Sequence, residues 1–125
     1  MSPVANVTIH ASQFPEAVRR DLIESLRARQ VNHKFHYDSV KQTQKWLALH
    51  QAYSPSRNDP DCAAVYNAAF AAAVASHTTS RVHVVGLGCG GGQKDTQLLK
   101  QFSTLGRETM YTLCDVSMVM VLVVR

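Results

Sequence analysis

The stretch RVHVVGLGCGGGQKDT, residues 81–96, limits the fold of this chain more than any other. A short β-branched run reads as a strand, and five of the seven residues from Gly86 to Gly92 are glycine. KDTQLLKQFSTLG follows, a helix pattern with Leu98, Leu99 and Phe102 on one side and Gly106 as its stop. Strand, glycine turn and helix together bring a ligand to a helix N-terminus. Glycine has no Cβ, so the turn can adopt positive φ and a ligand can approach the main chain closely. The free N–H groups and dipole of the helix then favour negative charge. A phosphate, a pyrophosphate and a carboxylate all suit such a place.

The rest of the chain supplies mostly helices. Residues 1–11 carry few helix signals and read as a lead-in. SQFPEAVRRDLIESLRARQ is a helix, with Pro15 in its first turn, Glu16 near the positive end, and Val18, Leu22, Ile23 and Leu26 as an apolar stripe. VNHKFHYD breaks that pattern. Ser39 caps a second helix to about Gln51 that is expected to bury Val40, Trp46, Leu47 and Leu49. YSPSRNDPD is the strongest loop signal. Asp59 then caps, and Pro60 opens, an alanine-rich helix with Cys62, Tyr66, Phe70 and Val74 along one side. TMYTLC is a second strand, ending at Asp115. SMVMVLVVR fits a buried helix or a strand, and Ser117 as a cap favours the helix. Residues 81–125 thus form a βαβ unit preceded by a helical segment, 1–80. Two strands make a small sheet, and the sequence stops about where a third is expected, which points to a truncated domain.

Three ligand readings compete for the glycine turn. Gly86–Gly91, GLGCGG, satisfies G-x-G-x-x-G, the dinucleotide pattern, with Asp115 placed for a ribose hydroxyl. A phosphate-binding P-loop is discarded, because Lys94 is followed by Asp95 and the glycine spacing is wrong. The glycine loop of a class I S-adenosyl-L-methionine (SAM) methyltransferase occupies the same place. A turn with no ligand is the fourth possibility. Lys94 stands just inside the helix, where a cation opposes the dipole, so it reads either as a solvated lysine or as the partner of a ligand carboxylate. SAM carries such a carboxylate, whereas a pyrophosphate is served by backbone alone.

Composition closes other routes. The net charge of +4 is spread along the chain with no block of like charge, so nucleic acid is not an expected partner. Cys62, Cys89 and Cys114 have neither metal-type spacing nor an even count. His33 and His36 lack further ligands, so no metal site is expected. His83, inside the first strand, reads as a packed or hydrogen-bonded core histidine. Cys89, near a helix N-terminus, permits a reactive thiol, with loop packing the preferred reading. No signal peptide or apolar span of about 18 residues is visible, so a cytoplasmic protein without membrane contact is expected. The oligomeric state is not legible.

The order KFHYDS, AYSPSR, VVGLGCGGGQKD, CDVS resembles the histidine-specific SAM-dependent methyltransferase family, whose best-known members trimethylate the α-amine of histidine on the route to ergothioneine. The resemblance covers roughly residues 14–119. It implies an α/β fold, an incomplete class I (Rossmann-like) SAM methyltransferase core preceded by N-terminal helices. It implies SAM as cofactor, with Gly88 at the glycine that contacts SAM and Leu87 and Gly90 beside it. Lys94 matches a lysine six residues on, and Asp115, 21 residues after that, matches the acid that takes the ribose hydroxyls. Tyr53 matches the first tyrosine of a Tyr-Tyr-Pro-Thr-Arg segment that touches a small-molecule amino-acid substrate, and Tyr37 the tyrosine of an upstream Tyr-Asp segment. The chain departs from the family in Cys89 for a small polar residue, Gly86 for Glu or Asp, and Ser54 for the second tyrosine. The implied function is a SAM-dependent N-methyltransferase acting on an amino acid such as histidine, with an isolated chain too short for turnover. An NAD-dependent oxidoreductase fragment and a non-catalytic ligand-binding module remain as alternatives.

Overall fold

The computed structural model describes residues 6–123. Of the lead-in expected at residues 1–11, residues 1–5 lie outside the described residues, as do the last two residues of the apolar C-terminal segment. The chain is mixed α/β and 63% helical. It divides into two compact units, one ending at His36 and the other beginning at Tyr37.

The first unit opens with a 3-10 turn, Ala11–Gln13, whose Ser12 N–H donates to His10 Nδ1 at 3.2 Å. Helix α1, Pro15–Ala28, starts on Pro15 and ends where Arg29 enters the left-handed region at φ 53°. Its apolar stripe is not buried. Leu22, Ile23 and Leu26 are 40%, 37% and 65% exposed, and α1 has no buried residue. Sequence periodicity gives a stripe its direction but not its cover. What ties α1 down is polar: Lys34 Nζ donates to Asp21 Oδ2, and this bond, with Arg20 alongside, holds the Asp21 carboxyl below its ordinary range. A hollow of about 330 Å³ between residues 21 and 32 holds none of the candidate site residues.

The second unit begins with Tyr37 and helix α2, Val40–Tyr53. Ser39 forms the full reciprocal cap, its Oγ accepting from Gln42 N–H at 3.2 Å and its N–H donating to Gln42 Oε1 at 3.1 Å. The expected inward face is rotated. Val40 and Leu49 are 56% and 59% exposed, Trp46 and Leu47 are half-buried, and the buried residue is Thr43. Hydrogen bonding decides the rotation: Thr43 Oγ1 donates to the Tyr37 carbonyl at 3.1 Å and lies 3.3 Å from Ser117 Oγ. Ser117 Oγ also donates to the Tyr37 carbonyl, at 2.9 Å. This small polar knot satisfies every hydroxyl it buries.

The predicted loop after α2 contains one helical turn, α3, Pro55–Asn58. Helix α4, Pro60–Ser76, starts as expected, with Asp59 Oδ1 accepting from Asp61 N–H at 2.9 Å and Cys62 N–H at 3.4 Å. Its predicted side turns inward: Val74 is buried, and Cys62, Tyr66 and Phe70 are half-buried.

Strands β1, Arg81–Leu87, and β2, Glu108–Cys114, are parallel neighbours in register from Arg81 opposite Glu108 to Leu87 opposite Cys114. Helix α5, Gln93–Thr104, makes the crossover and buries Phe102, and Gly106, at φ 68°, turns the chain back. Every second strand residue, from Val82 to Gly86 and from Thr109 to Leu113, is shielded, and the alternate set is exposed. Among the described residues, only one face of this sheet is covered, although parallel sheets ordinarily bury both. His83 therefore is not a core histidine. It lies on the bare face, hydrogen-bonded to Thr112 Oγ1 at 2.8 Å. Helix α6, Met118–Val123, resolves the ambiguous segment as helix, with Ser117 Oγ accepting from Met120 N–H at 3.3 Å and Met120 fully buried. Among the described residues no helix is long and apolar enough to cross a membrane.

Candidate functional site

The glycine loop begins by extending the parallel ladder, since Gly88 N–H donates to the Cys114 carbonyl at 2.8 Å. Gly88, Gly90 and Gly92 then take φ of 65°, 53° and 71°, a region that opposes a side chain. Gly92 N–H returns to the Cys89 carbonyl at 2.8 Å, and Gly92 caps α5. The two faces of the loop differ. A Cβ at Gly90 would stand 3.3 Å from the Trp46 ring, and one at Gly91 would stand 3.6 Å from Arg57 Nη2 and Leu47, so α2 and α3 cover that side. A Cβ at Gly88 would meet nothing within 4 Å. The open side is where a ligand can reach the main chain.

Asp115 follows β2 and closes the loop from below. Its Oδ2 accepts from Gly90 N–H at 3.3 Å and from the Cys89 thiol at 3.7 Å, and its Oδ1 accepts from Ser117 N–H at 2.9 Å. Each carboxylate oxygen offers about two acceptor positions, so Asp115 can hold the loop and still accept from a ligand hydroxyl. Leu87 is 81% exposed with its side chain on the bare sheet face, so it offers the loop its backbone only.

Lys94 is tethered rather than solvated. Its Nζ donates to Tyr66 Oη of α4 at 3.0 Å and lies 4.3 Å from that ring's centroid. An ammonium has three donors, so two remain. Sequence reading placed Tyr66 in a packing stripe and did not see this role, because only the fold brings residue 66 beside residue 94.

Position 86 has a different logic. A Cβ there would lie 2.2 Å from Asp95 Oδ2 and 2.9 Å from Tyr111 Oη. The Asp95 carboxylate fills that space, accepting from the Tyr111 hydroxyl. Burial and then the Asp95 charge push the Tyr111 phenol far above its ordinary value, so it remains a donor. A carboxylate thus stands beside β1 after all, supplied by α5 instead of by residue 86. Asp95 reads in sequence only as a helix-start acid.

The two tyrosines part company. Tyr37 packs edge-on against Trp46, with centroids 5.8 Å apart, and Trp46 stacks on His50 at 4.9 Å. Tyr37 is thereby joined through Trp46 to the loop. Tyr53, the last residue of α2, is 77% exposed, and no described residue links it to the loop.

Cys89 is not a reactive thiol. Burial first, and then the Asp115 carboxylate, raise it from 9.0 to about 11. The helix N-terminus would lower it, but burial and a neighbouring anion win. At pH 8 its thiolate fraction is roughly a hundredfold below that of an ordinary cysteine. We expect iodoacetamide at pH 8 to label the exposed Cys114 well before Cys89, followed by peptide mass spectrometry. Equal labelling rates at the two positions would refute the Cys89–Asp115 contact.

Comparison of the chain with protein-family models, with curated proteins and with solved structures gives no match in any of the three.

Proposed function

We propose that the chain binds S-adenosyl-L-methionine at the glycine loop and acts as a SAM-dependent N-methyltransferase on an amino acid such as histidine, in a class I (Rossmann-like) arrangement. One observation carries the reading. Gly88 with its open face and the Asp115 carboxylate lie at the C-terminal end of a parallel βαβ unit, where such folds bind ligands, and Lys94 stands in the first turn of the helix that follows. They offer main chain that a ligand can approach closely, an acceptor for hydroxyls and a cation, all of which a nucleoside bearing an amino acid can use.

The residues fit the cofactor in part. Gly88 has room, and Asp115 and Lys94 have spare hydrogen-bonding capacity. The cofactor supplies the chemistry through its electrophilic sulfonium methyl group. The chain orients: Asp115 fixes the sugar, Lys94 the carboxylate, and Tyr37 through Trp46 lines the approach of a neutral amine. No residue has to act as a nucleophile, because holding amine and methyl in line accounts for several kcal/mol of barrier. A second reading, a ligand-binding module without catalysis, draws on Tyr53, whose exposure leaves the acceptor side with a single tyrosine.

Titration calorimetry with S-adenosylhomocysteine and with NADH tests the proposal. We expect S-adenosylhomocysteine to bind and NADH not to. Lys94→Ala should weaken binding by about 1.5–3 kcal/mol, the worth of one charge-assisted hydrogen bond. Binding of NADH alone would transfer the site to dinucleotide chemistry. Binding of neither would make the loop a structural turn.

A further inference from the structure

Three side chains that carry or can take positive charge gather on the covered side of the glycine loop: His50 from α2, Arg57 from α3 and Lys94 from α5. A Cβ on Gly91 would stand 3.6 Å from Arg57 Nη2. His50 is stacked on Trp46, whose edge touches Gly90. Burial, then the charges of Arg57 and Lys94, hold the His50 imidazole below its ordinary value. Nothing offsets that repulsion. Among the described residues, neither Arg57 nor Lys94 has a carboxylate within ion-pair distance. The two acids nearest the loop are engaged elsewhere, Asp95 with Tyr111 and Asp115 with Gly90 and Ser117.

His50 Nδ1 and Arg57 Nε are shielded from solvent and have no hydrogen-bond partner. Buried polar atoms are almost always paired, and leaving one unmade costs more than the bond is worth. Arg57 Nε is a donor, and His50 Nδ1 becomes one when the ring is protonated, so a negatively charged acceptor satisfies both. The N-terminus of α5, a helix of 12 residues, adds its dipole in the same sense.

We infer that His50, Arg57 and Lys94 are the seat of a ligand carboxylate or an equivalent oxyanion, and that His50 takes up a proton from solvent as the anion binds. The inference rests on the cofactor reading for one thing only, the identity of the carboxylate's bearer. The sign of the linkage is fixed: an anion favours the protonated imidazole, so binding tightens as pH falls and weakens as pH rises.

The test compares S-adenosylhomocysteine with 5′-methylthioadenosine, which lacks the amino-acid carboxylate, and with sulfate, whose charge is constant near neutrality. S-adenosylhomocysteine should bind several-fold more tightly at pH 6 than at pH 8.5, and His50→Gln should flatten that dependence. Arg57→Gln should weaken S-adenosylhomocysteine at least tenfold and leave 5′-methylthioadenosine unchanged. In the unmodified chain, which removes any doubt about folding of the variants, NMR titration of the His50 ring should show its pKa rising by about one on saturation with sulfate. If S-adenosylhomocysteine fails to bind but sulfate still raises the His50 pKa, the cofactor reading falls and the oxyanion seat stands. If sulfate leaves His50 unmoved, or Arg57→Gln weakens both nucleosides equally, the seat is refuted.

Discussion

Asp115→Ala is expected to destabilise the second unit by about 2–3 kcal/mol and to abolish S-adenosylhomocysteine binding. The stability loss follows from what the carboxylate holds. Gly90 N–H and Ser117 N–H both donate to it, as does the Cys89 thiol. Removing the acceptor strands two half-buried amides, and bonds to a charged group are worth about 1.5–3 kcal/mol each, with part recovered by water. For a unit of this size that corresponds to a fall in melting temperature of roughly 10–20 °C. Asp115→Asn separates the two roles. The amide keeps an oxygen for one donor but loses charge, so about half of the stability loss is expected, with binding still strongly impaired. Circular dichroism melting and calorimetry read the two effects independently. An Asp115→Ala protein that melts with the unmodified chain would mean that the carboxylate does not hold the loop.

Gly86→Ala is expected to cost about 2–3 kcal/mol, and Gly88→Ala only about 1 kcal/mol, although both replace a glycine, one at the end of β1 and one in the loop, by the smallest side chain. The causes are different. At Gly86 the new methyl group would sit 2.2 Å from Asp95 Oδ2, so Asp95 must swing away and release the Tyr111 hydroxyl. Overpacking of this kind typically costs about 1–3 kcal/mol. At Gly88 space is open, and the cost is that of holding alanine at φ 65°, about 1–2 kcal/mol. A double variant, Gly86→Ala with Asp95→Ala, distinguishes the mechanisms. It should be more stable than the sum of its single variants, because removing Asp95 makes room for the methyl group. Strict additivity in denaturant melts would exclude the clash.

Local signals carried well into the fold where one residue decides one bond. Ser39, Asp59 and Ser117 each cap the helix that the sequence assigns to them, and the apolar run ending at Leu87 forms a strand. What failed was cover. Leu22, Leu26, Val40 and Leu49 have the spacing of inward faces but are exposed, because the spacing is a property of one helix and burial is a property of two. His83 failed in the same way, on a sheet face that no described element shields. Around the loop, Gly88, Lys94 and Asp115 were legible because their spacing follows the chain from strand to helix to strand. Tyr66, Asp95, His50 and Arg57 were not. Tyr66 and His50 sit in helices that read as packing elements. Arg57 lies in a stretch that reads as loop, and Asp95 is hidden behind an ordinary helix-start role.

The hydroxyl of Ser117 reaches back 80 residues to the Tyr37 carbonyl, whereas Asp115 is joined to Gly90 across only 25. Closure entropy grows with the length of chain closed, so ordering the glycine loop costs less than tying α6 back to the start of α2. Disruption of the long-range knot is therefore expected to loosen the two ends of the second unit before it loosens the loop.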